Sequence, residues 1–129
     1  MASYALVESN PPLRTYKREK GNVGLIMRFM ITCRIPVEKG NELVKNGTLG
    51  PTVQSIMEDL KPEAAYFVDI EGARGADIIV NMDDASQIPA FVEPLFLALG
   101  ATVQVHPVFT PEDMPQAMEA PDRAAQKYG

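Results

Sequence analysis

The chain has 129 residues and a formal net charge of −5, from 17 acidic and 12 basic residues. This length fits one compact domain, since single domains most often contain about 100–150 residues. The charge disfavours nucleic acid as a main partner, because an acidic surface repels a phosphate backbone. Hydrophobic residues make up 46% of the sequence, which predicts a folded chain and excludes a disordered one.

Cysteine usage and targeting signals indicate the compartment. Cys33 is the only cysteine, so one chain forms neither an intramolecular disulfide nor an all-cysteine metal site. The N-terminal segment lacks the apolar core of a signal peptide, and no stretch approaches the roughly 18 apolar residues of a membrane span. We therefore expect a cytoplasmic protein that does not associate with membranes.

The first 23 residues predict an extended arm, because they contain Pro11-Pro12 and no sustained hydrophobic period. Basic residues are concentrated in this arm. We interpret them as a solvated segment, because they have no interleaved aromatic residues to form a nucleic-acid patch. These residues are Arg14, Lys17, Arg18 and Lys20.

A strand and two short helices are predicted next. Residues 24–35 alternate between two faces, which indicates the first strand. The period between 37 and 61 is helical and is interrupted at Gly47 and Gly50, so that Pro51 opens a second helix.

The second half of the domain predicts a hairpin, a helix and a strand. Residues 64–71 and 76–82 form antiparallel strands around a turn at 72–75, whose glycines permit positive φ angles. Asp84 and Gln87 resemble a capping box that opens a helix running to Gly100. Pro94 should kink or divide this helix.

A last strand covers residues 101–110, and the proline-rich tail from 111 should be loose or ordered only by a partner. The order strand-helix-strand-strand-helix-strand predicts an α+β ferredoxin-like plait at 24–110, between an arm (1–23) and a tail (111–129). In this fold four antiparallel strands lie in the order 4-1-3-2 with the helices on one face. Pro107 agrees, because a missing amide hydrogen is tolerated on an edge strand.

Sorting the strand residues by parity predicts two unlike faces of the sheet. The apolar face, placed under the helices, comprises Met27, Phe29, Ile31, Cys33, Tyr66, Val68, Ile70, Ile78, Val80, Met82, Val103, Val105 and Phe109. The mixed face comprises Arg28, Met30, Thr32, Arg34, Phe67, Asp69, Glu71, Asp77, Ile79, Asn81, Thr102, Gln104, His106 and Val108.

Two interpretations of the mixed face stay open. In the first, the face is solvated or covered by a second subunit, and Arg28 and Arg34 pair with Asp69, Asp77 or Glu71 across strands. In the second, the face lines a pocket that a partner subunit closes, because apolar walls with a few directed polar groups are typical of ligand sites.

The stretch DDASQIPAFVEPLFLALGATVQVHPVFTPEDM, preceded by a strand, helix and hairpin of this size, resembles the C-terminal half of small dimeric α/β-barrel proteins, in particular the muconolactone-isomerase-like members. The resemblance covers residues 27–114. It implies a homodimer in which two plaits associate through their open sheet faces and enclose a small, often aromatic or lactone-like ligand. No isomerase catalytic set matches residue by residue, so that activity is not implied.

His106 is the only histidine and the natural candidate for a general acid or base. The predicted ligand-binding residues are Arg28, Thr32, Arg34, Phe67, Asp69, Asp77, Asn81 and Gln104. No cofactor or metal is expected, because one histidine with scattered carboxylates lacks a ligand spacing, and only His106 could hold a haem.

These patterns support two hypotheses of different classes. The first is a homodimer that binds a small, anionic or aromatic metabolite, with cofactor-independent isomerase, cyclase or lyase chemistry by proton transfer at His106 and with Arg28 or Arg34 stabilising negative charge. The second is a non-catalytic homo-oligomeric interaction protein whose open sheet face serves assembly only.

Overall fold

The computed structural model describes the backbone of residues 4–8, 15–18 and 23–129, and the side chains of residues 26–129. The chain divides into two compact units, one comprising Met27–Pro107 and the other comprising Met1–Ile26 with Val108–Gly129. The basic cluster predicted at 14–20 lies outside the described side chains.

The first unit contains the plait. Its strands are β4 (Met27–Arg34), β5 (Ala64–Ile70), β6 (Ala73–Met82) and β7 (Thr102–Val108, the last residue of which falls to the other unit). Its helices are α1 (Val37–Lys45), α2 (Leu49–Leu60) and α3 (Ile88–Leu99). The α+β class with a four-stranded antiparallel sheet is thus confirmed.

The sheet order is β5-β6-β4-β7. Numbered within the plait, the order is 2-3-1-4 from one edge and 4-1-3-2 when the same sheet is read from the other edge. Strand β7 is therefore an edge strand. The missing amide hydrogen of Pro107 is tolerated there, because an edge strand has a ladder partner on one side only.

One face of the sheet packs beneath the three helices. The strands contribute Phe29, Ile31, Cys33, Ala76, Ile78, Val80 and Met82 to the core, and the helices contribute Leu43, Ile56, Leu60, Phe91, Leu95 and Leu99. The β4 and β6 members follow the predicted alternation, because a sheet covered on one side buries every second residue.

The hairpin turn is tighter than predicted. Glu71 and Gly72 form it alone, with φ angles of 49° and 78°, and Ile70 pairs directly with Ala73. Two successive positive φ angles are typical of the two-residue turn that matches strand twist. The predicted turn at 72–75 is wrong because Gly75 lies inside β6 instead.

The helix boundaries also differ from the prediction. Pro51 is the third residue of α2, not its first, and Pro94 lies inside α3 without dividing it. A short 3₁₀ turn (Ala85–Gln87) precedes α3, and the Asp84 carboxylate accepts the amide hydrogen of Ser86 at 2.7 Å. Gln87 accepts from the amide of Asp83 rather than of Asp84, so the predicted capping box is only partly formed.

The second unit is more regular than the sequence indicates. The backbones of β1 (Tyr4–Glu8), β2 (Thr15–Arg18) and β3 (Val23–Leu25) form an antiparallel sheet, so Gly24 belongs to β3 and not to the first plait strand. The tail is helical rather than loose, with α4 (Met114–Ala117) and α5 (Glu119–Tyr128). Within the described residues, no helix has the length and apolar character needed to cross a bilayer.

Candidate functional site

The open face of the sheet, which points away from the helices, carries an ion pair at the end where β4 begins. The Arg28 guanidinium donates to both carboxylate oxygens of Glu63 at 3.0–3.1 Å, and the Asn81 side-chain amide donates to the same carboxylate at 3.1 Å. Arg28 and Asn81 are directly opposite each other in the β4–β6 ladder, and Glu63 immediately precedes β5. Two of the predicted ligand residues are therefore held by a carboxylate that the sequence analysis did not include.

A second polar contact lies in the middle of this face. The Thr32 hydroxyl donates to the Asp77 carboxylate at 2.7 Å, and the two residues are direct ladder partners. Both are partly buried. Thr32 and Asp77 were both predicted to bind a ligand, and in the structure they bind each other.

Arg34 occupies the opposite end of β4 from Arg28. Its Nε donates to the backbone carbonyl of Ile70 at 3.1 Å. The ladder partner of Arg34 is Gly75, which has no side chain, so the arginine can extend across it toward the turn. The predicted pairing of Arg34 with Asp69, Asp77 or Glu71 is not formed.

The predicted orientation of β5 is wrong. In the β5–β6 ladder Phe67 is opposite Ala76 and Asp69 is opposite Arg74, whereas Tyr66 is opposite Asp77. Direct partners in an antiparallel ladder share a face, so Phe67 and Asp69 lie on the helix side. The two-residue turn between Ile70 and Ala73 sets this register. A four-residue turn at 72–75 would leave the same residues on each face, so the error lies in placing Tyr66, Val68 and Ile70 under the helices by their hydrophobicity.

The same register reveals an apolar band that the sequence analysis missed. Tyr66 and Val68 lie on the open face with relative exposures of 65% and 43%. Met30 and Ile79, which are direct partners in the β4–β6 ladder, are partly exposed on the same face. Counting outward along both strands from the hairpin turn is the signal that would have placed Tyr66 and Val68 here.

His106 and Gln104 lie on the edge strand β7. Both are exposed, and they alternate with Val103 and Val105, which pack against the core. Because β4 and β7 are antiparallel neighbours, His106 lies toward the strand end that carries Arg28, and Arg34 is at the other end. Among the side chains of 26–129, none hydrogen-bonds to the imidazole, so the predicted convergence of His106 and Arg34 is not formed.

A groove lined in part by apolar residues lies on the helix side of the plait. It encloses about 720 Å³ between the start of α1, the start of α2 and the β5–β6 hairpin. Its lining includes the apolar Val53 and Phe67 and the charged Asp69 and Arg74. Arg74 donates to the Asn41 side-chain carbonyl at 3.0 Å. Of the predicted site residues only Phe67 and Asp69 lie here, away from the rest.

Cys33 is buried on the helix side with 2% exposure, in agreement with the predicted apolar role. Burial raises the pKa of its thiol, a hydrogen bond with the backbone of Ala76 lowers it, and the nearby Asp77 charge raises it. A raised pKa leaves the thiol protonated at neutral pH, which disfavours nucleophilic reactivity.

Within the described part of the chain, no group of three or more histidine, cysteine, aspartate or glutamate side chains is arranged to hold a metal ion. Comparison with protein-family models, with curated proteins and with solved structures finds no match for this chain. Any functional conclusion therefore depends on the geometry of the two sheet faces.

Proposed function

We propose that the protein is a homo-oligomeric assembly module that associates with a second copy of itself through the open face of the plait. The apolar band on this face carries the proposal. Two pairs of polar side chains beside it contact each other, Arg28 with Glu63 and Thr32 with Asp77. A face that exposes an apolar band while several of its polar groups are already paired favours association over recognition of a polar ligand.

The band is contiguous. Tyr66 and Val68 are two positions apart on β5 and therefore share a face, and Ala64 on the same strand is opposite Ile79, whose other partner is Met30. Isolated exposed apolar residues are ordinary on soluble proteins, whereas a continuous strip with a central aromatic residue is typical of an interface core.

The resemblance to dimeric α/β-barrel proteins supports the same partner and the same surface. In those proteins two plaits associate through their open faces. The enclosed chamber and its metabolite stay predictions from sequence, as does proton transfer by His106, because the polar groups expected to act on a ligand do not converge. We therefore favour the non-catalytic hypothesis.

Two neighbouring residues provide a matched test of the interface. Tyr66 and Phe67 have nearly equal exposure, 65% and 64%, and lie on opposite faces of β5. We expect Tyr66→Ser to raise the dimer dissociation constant about 30-fold, because truncating a central interface aromatic costs about 2 kcal/mol. Phe67→Ser should leave it within about twofold. Sedimentation velocity over a concentration series measures both.

Two results would contradict the proposal. The first is a wild-type chain that stays monomeric at concentrations up to hundreds of micromolar. The second is the reverse order of effects, in which Phe67→Ser dissociates the assembly and Tyr66→Ser does not, since that would place the interface at the helix-side groove. Thermal melts of both variants establish that each is folded.

A further inference from the structure

Two charged residues on the open face have no oppositely charged partner within the described chain. Arg34 and Asp77 are both partly buried, and they lie on successive open-face rungs of the β4–β6 ladder, two positions apart, with Arg34 opposite Gly75 and Asp77 opposite Thr32. The ion pairs formed among the described residues are Arg28 with Glu63 and Lys39 with Glu42.

The other hydrogen-bonding atoms of these two side chains have no partner among the described residues. Arg34 uses only Nε, which donates to the Ile70 carbonyl, and neither of its terminal nitrogens donates to a described group. Asp77 accepts the Thr32 hydroxyl on one oxygen, and its other oxygen accepts no hydrogen bond from the described residues. Arg28, by contrast, has three contacts with Glu63.

A partly buried charge loses hydration, and an oppositely charged partner with hydrogen bonds is what offsets that loss. The two terminal nitrogens of an arginine match the two oxygens of a carboxylate. A surface that carries one unpaired cation next to one unpaired anion is complementary to itself, because a two-fold rotation places each charge against the opposite one.

We propose that Arg34 of each copy pairs with Asp77 of the other across a two-fold axis that passes between them. This inference rests on the proposed function and specifies the register of that interface. Four charges of alternating sign then surround the axis, and Tyr66 and Val68 flank them and exclude water. Any other register would bring like charges together or leave Arg34 and Asp77 unpaired, so the pair selects one arrangement.

Charge exchange tests the pairing. Arg34→Glu and Asp77→Lys should each raise the dissociation constant at least about 30-fold, because each brings like charges together at two places in the homodimer. An equimolar mixture of the two variants should associate, since one contact then joins the two introduced residues and the other joins the native Arg34 to the native Asp77. Native mass spectrometry distinguishes this heterodimer from either homodimer by mass.

Asp69 and Arg74 provide a matched control, because they are opposite each other on the helix side of the same hairpin. Arg74→Glu and Asp69→Lys make the same changes of charge on the other face and should leave the dissociation constant within about twofold. If either single open-face variant fails to fold by circular dichroism, the chain carrying both Arg34→Glu and Asp77→Lys takes its place. That chain should dimerise with itself.

The outcomes separate the two proposals. Dimers of Arg34→Glu and of Asp77→Lys as stable as the wild type, or no heterodimer in the mixture, would overturn the Arg34–Asp77 pairing while leaving assembly through Tyr66 intact. A doubly exchanged chain that stays monomeric would overturn the pairing as well. A monomeric wild type would overturn both proposals, and that measurement comes first.

Discussion

Gly75 decides the local geometry around Arg34. A Cβ atom at this position would collide with the side chain of Ile70 and would lie 2.5 Å from the carbonyl oxygen of Cys33. The absence of a side chain therefore lets β4, β6 and the end of β5 approach each other closely. The sequence predicts a turn at this glycine, because a glycine needed for close approach and a glycine needed for positive φ are indistinguishable by residue type alone.

Replacing Gly75 by alanine should lower the stability of the fold, whereas the same replacement at Gly50 should not. We expect Gly75→Ala to lower the free energy of unfolding by about 1–3 kcal/mol, because the added methyl group has no space. Gly50 lies in α2, and a Cβ there meets no atom within 4 Å. Gly50→Ala should therefore raise stability by up to about 1 kcal/mol through helix propensity. Urea denaturation measures both, and equal effects would contradict the crowding at Gly75.

Cys33 gives stability a pH dependence with a defined sign. Burial raises the pKa of its thiol above the ordinary value of 9.0. In alkaline solution the unfolded chain therefore loses this proton first, and the free energy of unfolding falls as pH rises through about 9. The slope from one such group approaches about 1.4 kcal/mol per pH unit.

The variant Cys33→Ala isolates this effect, because tyrosine and lysine titrate equally in both chains. We expect its free energy of unfolding to fall less steeply between about pH 8 and 10 than that of the wild type. Urea unfolding at several pH values gives the two slopes. Parallel curves would show that the thiol ionises equally easily in the folded and unfolded chains.

At the scale of elements, the sequence predicted the plait strands and the helices well where hydrophobic periodicity was strong. The alternation of β4 and the stripe of α2, with Ile56 and Leu60 buried, are as expected. The orientation of β5 was not predictable in the same way, because Tyr66, Phe67 and Val68 form an apolar run without alternation. Pairing with β6 determines which of them faces the helices, and hydrophobicity alone does not distinguish the two faces of such a run.

The site was less predictable than the fold, because it depends on pairings between strands. Arg28 and Asp77 were correctly assigned to the open face, but their partners, Glu63 and Thr32, follow from the register. Glu63 precedes its strand and belongs to no alternating pattern. The helical tail was missed for another reason, since its prolines are at helix starts, where they are tolerated, and not in helix interiors.

At the scale of the whole molecule, stability is concentrated in the plait. Among the residues with described side chains, every buried apolar residue lies between Phe29 and Ala101, and every residue of α5 is exposed. A ten-residue helix without a buried face contributes little free energy to folding.

Removal of the tail should therefore leave the cooperative unfolding transition in place. We expect a chain ending at Thr110 to keep its urea midpoint within about 0.5 M of the full chain, because surface changes away from a core alter stability by about 0.5 kcal/mol. The helical signal at 222 nm should decrease. A loss of cooperative unfolding would show instead that α4 and α5 are required for the folded core.

The two-residue turn between β5 and β6 has a consequence for how this gene can vary. Inserting or deleting a single codon there would swap the surfaces of an entire strand, sending Tyr66 inward and Phe67 outward in one step. Point changes at Glu71 or Gly72 alter only local strain. The hairpin should consequently accept replacements at its tip across related proteins while keeping a constant number of residues.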